Sequence, residues 1–183
     1  MKLSTLRQQF YPVLLLTVVV FASVAMLALT NNVTEALIEY QIKQEILRML
    51  QEIFPDMSRY TFENEIYTIY SDGDEIGYGF LATGKGYGGD IDILIGLNTD
   101  MMVKGVTIVS HTETPGLGDR IVKPSFTDRF IGLEITDVAV PAEGGKVDAI
   151  SGSTISSKAV IDAVRTTAME KAKALTGKNS TEK

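Results

Sequence analysis

The run Asp148-Ala149-Ile150-Ser151-Gly152-Ser153-Thr154 places three hydroxyls around a single glycine. Directly after it, Val160, Ile161, Val164 and Ala168 recur at the three- and four-residue spacing of one helix face. The hydroxyls therefore stand at a helix N-terminus, where unpaired N–H groups and the positive dipole end attract a phosphate. A threonine hydroxyl held there can carry that phosphate as an ester. The same residues fit plain capping by Ser151 or Ser153, the ordinary role of serine at such a place.

Two other clusters carry chemistry. Gly84-Lys85-Gly86-Tyr87-Gly88-Gly89 joins two strand-like runs, and its glycines let backbone approach a ligand closely or adopt positive φ. It is neither a Walker loop, since the lysine and the hydroxyl residue are misplaced, nor a dinucleotide fingerprint, since no helix follows. His111-Thr112-Glu113-Thr114-Pro115-Gly116-Leu117-Gly118 leaves a third strand through a Pro-Gly turn. On local chemistry alone both are structural turns. A serine hydrolase built on Ser151 or Ser153 with His111 lacks the Gly-x-Ser-x-Gly elbow and an ordered acid partner.

Composition narrows the chemistry further. The 183 residues contain no cysteine and one histidine, which removes disulfides, thiolate catalysis, cysteine-ligated clusters and His-rich metal sites. Any electron handling must then fall to an organic cofactor. The chain carries −6, and its first 30 residues hold Lys2 and Arg7 without an acid, so the remainder carries −8. An acidic outer part with no basic patch argues against nucleic acid as a partner.

The elements that must position these residues are readable in outline. Pro12 to Thr30 is free of charge, and as a helix would span roughly 28 Å, close to bilayer thickness. Tyr11 suits an interfacial position, and Pro12 is expected near the helix start. Lys2 and Arg7 before the span, with Glu35 and Glu39 after it, predict a cytoplasmic amino terminus and an exported remainder. The alternative is a cleaved signal peptide, whose apolar region should be shorter and end beyond a small-x-small site; Ser23-Val24-Ala25 instead lies within the apolar run. Asn31 to Phe54 reads as a helix that packs on the domain or in its core, stopped by Pro55.

Strands are predicted at Ile66–Tyr70, Glu75–Thr83, Ile91–Leu97, Val103–Val109 and Leu133–Val140, with a turn at Ser71-Asp72-Gly73-Asp74. The expected fold is α+β: one transmembrane helix, then a single domain with a largely antiparallel sheet flanked by helices. The expected segments are an amino-terminal stretch 1–11, an anchor 12–30, a linking helix 31–58, a domain 59–175 and a polar tail 176–183. Asn32-Val33-Thr34 and Asn179-Ser180-Thr181 match the weak glycosylation pattern, which matters only in a eukaryotic secretory route.

Asp148 to Thr154 resembles the flavinylation motif of the FMN-binding domain found in the G subunit of Rnf complexes and in the C subunit of the Na+-translocating quinone reductase. His111 to Gly118 resembles that family's second signature, and the two occur in the family's order behind an anchor of the expected kind. The resemblance implies FMN joined through its phosphate to Thr154; Ser153 stands where the family more often has alanine. It implies that Tyr87 and Gly88 border the flavin, and that His111, Glu113, Thr114, Pro115, Gly116, Leu117 and Gly118 line its site. Glu113 is expected to hold its loop by accepting backbone N–H bonds, and Lys158, one turn into the helix, either to add a phosphate contact or merely to be solvated. The implied activity is that of an electron-carrying subunit without independent turnover, in a membrane-bound Rnf-type complex coupling ferredoxin–NAD chemistry to ion movement. Partners would be the other membrane subunits and a flavin transferase. The quinone-reductase protein is the sibling reading, although it resembles a longer chain; a surface binding module without redox function is the rival.

Overall fold

The computed structural model describes residues 3–179, and their side chains apart from those of 3–10, 29–37, 39 and 177–179. Lys2 and residues 180–183 of the expected polar tail, with Ser180 and Thr181 of the second glycosylation pattern, lie outside the described residues. The chain divides into two units, 1–45 and 46–183.

Helix α1, Leu3–Ile53, supplies the first unit and continues into the second. Within it Tyr11–Ala28 has mean hydropathy 2.3 and is long and apolar enough to cross a bilayer. The hydroxyls of Thr17 and Ser23 turn inward, donating to the carbonyls of Val13 and Val19, while Tyr11 stands at the end of the span. Pro12 lies inside the helix, not near its start as expected, because helix geometry already begins at Leu3. Proline supplies no N–H for the preceding turn, an omission tolerated in membrane helices.

The second unit holds a five-stranded antiparallel meander in the order β1-β2-β3-β4-β5. The strands are β1 Arg59–Glu63, β2 Ile66–Ser71, β3 Asp74–Lys85, β4 Asp90–Asn98 and β5 Val103–His111. Asp72 and Gly73 join β2 to β3 with φ of 51° and 100°, the paired positive values that a type I′ hairpin requires. Each face of the sheet buries a different partner. On one, Ile91, Ile93 and Ile95 pack with Val160, Ile161, Val164 and Ala168 of helix α2, Thr154–Asn179. On the other, Leu94 and Ile69 pack with Ile46 and Leu50 of α1 and with Phe54 just beyond it.

Two strand expectations are corrected. Leu133–Val140 is not a strand: it makes one bridge, Met102 to Glu134, and then a 3-10 turn at Ile135–Asp137. Its alternating apolar residues, Ile135 and Val138 among them, reach the same core from a covering segment without pairing. The fifth strand is instead β1, whose side chains are almost all exposed and so carry no alternation. Its turn was equally silent, since Asn64 and Glu65 adopt φ of 52° and 63°, which glutamate seldom takes.

Candidate functional site

Three pieces of chain converge at one end of the sheet: the Gly86–Gly89 tip between β3 and β4, the loop leaving β5 at His111, and the first turn of α2. Between them lies a cleft of about 330 Å³. Tyr87, Leu117 and Ile155 give it an apolar rim, exposed at 75%, 50% and 59%. Glu113, Thr114, Gly118, Gly152, Ser153, Thr154 and Ser156 complete the lining.

The hydroxyls at the helix start divide into two kinds. Gly152 turns the chain with φ of 81°, and Ser153 N–H donates to the Ile150 carbonyl. Ser153 then occupies the N-cap position, yet its buried hydroxyl donates to the Leu117 carbonyl instead of accepting from the helix. The first intrahelical bond runs from Ser157 N–H to Ser153 O, so the N–H groups of Thr154, Ile155 and Ser156 precede it. Ser157 is wholly buried; its hydroxyl donates to Ser153 O at 2.8 Å and accepts from Ile150 N–H at 3.1 Å, which locks the turn. Thr154, like the exposed Ser151 before the helix, is of the other kind. It is exposed at the head of α2, and among the described residues no hydrogen bond engages its hydroxyl.

The Glu113 carboxylate fastens the opposite wall. It is 6% exposed, accepts from Gly88 N–H at 3.0 Å and from the Ser156 hydroxyl at 2.7 Å, and so ties hairpin, loop and helix together. This space exists because Gly86 and Gly118 have no side chains; a Cβ on either would collide with the carboxylate. His111 Nδ1 accepts from Glu113 N–H at 3.2 Å, and the Thr112 hydroxyl donates to Gly88 O at 3.0 Å. Pro115 and Gly116, the latter with φ of 77°, form the exposed turn closed by Leu117 N–H on Thr114 O.

Not every predicted residue reaches the cleft. His111, Pro115, Gly116 and Ser151 stand outside its lining and shape the loops. Gly88 contributes its N–H to Glu113. Lys158 turns to Glu143, which raises its ammonium above the usual lysine value, and lies 3.9 Å from Asp162. The pairing a hydrolase would need is not formed either, since His111 and Ser153 each bond elsewhere, to Glu113 N–H and the Leu117 carbonyl. Sequence reasoning missed Ile155, Ser156 and Ser157. The two serines lie four residues before Val160 and Ile161, so the phase of the buried face already pointed them inward. It also missed Arg120 and Arg129, which donate to the carbonyls of Ser151 at 3.0 Å and Asp148 at 2.6 Å and brace the loop from outside.

Residues 86–168, which contain all three converging segments, match the FMN-binding domain family. Over 168 residues the chain is 34% identical to the G subunit of the ion-translocating oxidoreductase complex of Methanosarcina acetivorans, an overlap covering 82% of this chain and 88% of that one. The chain belongs to the family of these G subunits. The G subunit of the Aliivibrio fischeri complex is 31% identical over 181 residues, with 83% and 85% covered. Among solved structures, the C subunit of the Na(+)-translocating NADH-quinone reductase from Parabacteroides distasonis aligns at 30% identity over 55% of this chain and 57% of that one, with a TM-score of 0.48.

Proposed function

We propose that this chain is the electron-carrying subunit of a membrane-bound, Rnf-type ion-translocating ferredoxin–NAD oxidoreductase complex, and that it carries FMN as a phosphoester on Thr154. The observation that supports attachment there is the contrast within one turn. Ser153 and Ser156 are buried with their hydroxyls engaged, whereas the Thr154 hydroxyl is exposed and unengaged. The leading N–H groups of α2 favour a phosphodiester's single negative charge by about 0.3–1 kcal/mol. Lys158 is left out of that contact because Glu143 holds it.

The cleft suits the rest of the group. An apolar rim of Tyr87, Leu117 and Ile155 matches a flat aromatic ring system, with Tyr87 free to pack against it. Bound FMN would supply electron transfer, which no side chain here can provide. The protein's part is to hold the group and shield it, with Glu113 fixing the loop that faces the ring. A covalent link retains the cofactor outside the cytosol, where a dissociated one would be lost. Tyr11–Ala28 anchors the chain, with the amino terminus cytoplasmic by the positive-inside rule. Partners are the other membrane subunits of the complex and a transferase that installs the flavin.

Co-expression with a flavin transferase, followed by denaturing electrophoresis, should give a fluorescent band that disappears in Thr154→Ala. A band that survives the substitution moves the linkage elsewhere. An unlabelled wild-type band favours a binding module without redox function.

A further inference from the structure

The cleft wall that faces Thr154 belongs to another part of the chain, and two hydroxyls fasten it to the helix. Ser153 Oγ donates to the Leu117 carbonyl, and Ser156 Oγ donates to Glu113 Oε2 at 2.7 Å. Glu113 Oε1 in turn accepts from Gly88 N–H at 3.0 Å, so the second tie extends to the hairpin tip. Between these buried serines come Thr154 and Ile155, both exposed. One helical turn therefore presents two hydroxyls inward to the loop and holds the attachment hydroxyl outward beside it.

We infer that Ser153 and Ser156 are positioning residues that set the spacing between the Thr154 hydroxyl and the 111–118 loop, forming the cleft before any cofactor is attached. The part of this inference that concerns the flavin rests on the proposed function; the part that concerns the cleft does not. Neither serine supports the helix through its side chain. Ser153 sits at the N-cap without capping, and the Ser156 hydroxyl bonds away from α2. Alanine suits the helix at position 156, and at position 153 no side-chain cap is lost, so either substitution removes a tie while leaving α2 competent. Leu117 has the most freedom to gain, because its half-exposed side chain rides on a loop that turns at Gly116. Without the Ser153 bond the Leu117 carbonyl keeps, among the described residues, only the Arg120 N–H at 3.4 Å from its own loop.

The test uses the full chain in detergent, as wild type, Ser153→Ala, Ser156→Ala and the double variant. Amide exchange in the unflavinylated protein is read by mass spectrometry on peptides covering residues 86–90, 112–119 and 160–170. One lost hydrogen bond corresponds to about a tenfold change in an opening equilibrium. We expect peptides 86–90 and 112–119 to exchange about tenfold faster in the single variants and faster still in the double, with 160–170 unchanged. In flavinylated protein the label on Thr154 should persist while flavin anisotropy falls and the midpoint potential moves. Unchanged exchange in the two loop peptides overturns the inference, and so does uniform acceleration that includes 160–170, which would reveal general stabilisers. Failure to label the wild type counts against the proposed function alone, since exchange still reads the ties.

Discussion

Glu113→Gln is the most informative single change outside the proposed attachment residue. The carboxylate accepts two bonds, from Gly88 N–H at 3.0 Å and the Ser156 hydroxyl at 2.7 Å, while almost wholly buried. A glutamine has nearly the same shape but one accepting oxygen, so its amide must face one of the two donors. Serine can rotate to accept from that amide, whereas Gly88 N–H cannot, so the glutamine oxygen should keep the Gly88 bond. Two charge-assisted bonds, each worth about 1.5–3 kcal/mol, become two neutral ones near 1 kcal/mol. Part of that difference returns because no charge is then buried, leaving an expected loss of about 1–3 kcal/mol. For a domain of this size that lowers Tm by roughly 3–9 °C. Calorimetry of the full chain in detergent reads the shift. The loop-holding role is refuted if Tm and loop exchange stay at wild-type values while the potential of attached flavin moves by more than about 30 mV, equivalent to roughly 1.4 kcal/mol over two electrons. Glu113 would then act on the cofactor through its charge.

Ser157→Ala should lower stability by about 1–3 kcal/mol in urea unfolding, because Ile150 N–H loses its acceptor at 3.1 Å in a buried turn; an unchanged midpoint would show the bond is replaceable. Leu50→Ala should cost about 2–5 kcal/mol, since Leu50 is fully buried against the sheet face that Phe54 shares. A smaller loss would mean that the end of α1 is not integral to that core. Burial raises the Tyr67 phenol above its ordinary value, and burial reinforced by Glu75 raises Tyr78 further. Their contribution is complete below about pH 10 and is lost as pH rises through the higher folded values. An alkaline titration followed by phenolate absorbance should show Tyr67 and Tyr78 titrating late. Tyr78→Phe should remove the later of those steps.

Much of the fold was legible because its signals are local. Asp72-Gly73 announced a hairpin through residues that tolerate positive φ, and the three- and four-residue repeat from Val160 to Ala168 marked the buried face of α2. Arg59–Glu63 was not legible. An exposed edge strand has no alternation to read, and Asn64-Glu65 does not look like a turn that needs two positive φ values. Leu133–Val140 misled for the opposite reason: apolar β-branched residues face the core there, and burial alone does not reveal whether the backbone pairs.

The site divides along the same line. Residue order by itself singled out the three segments that the fold brings to one cleft, ruled out cysteine chemistry, and marked one apolar run as long enough to span a bilayer. It could not rank three neighbouring hydroxyls, because in sequence Ser151, Ser153 and Thr154 are near equivalents. Tertiary structure separated them by giving the Ser153 hydroxyl the Leu117 carbonyl, 36 residues away, and by placing Thr154 in the cleft lining and Ser151 outside it, with no hydrogen bond to either hydroxyl among the described residues. It also paired Lys158 with Glu143, and gave Glu113 its two donors from β-hairpin and helix. Hydrogen bonds between distant segments depend on how the chain is packed, so their partners are fixed only when sheet and helix have come together.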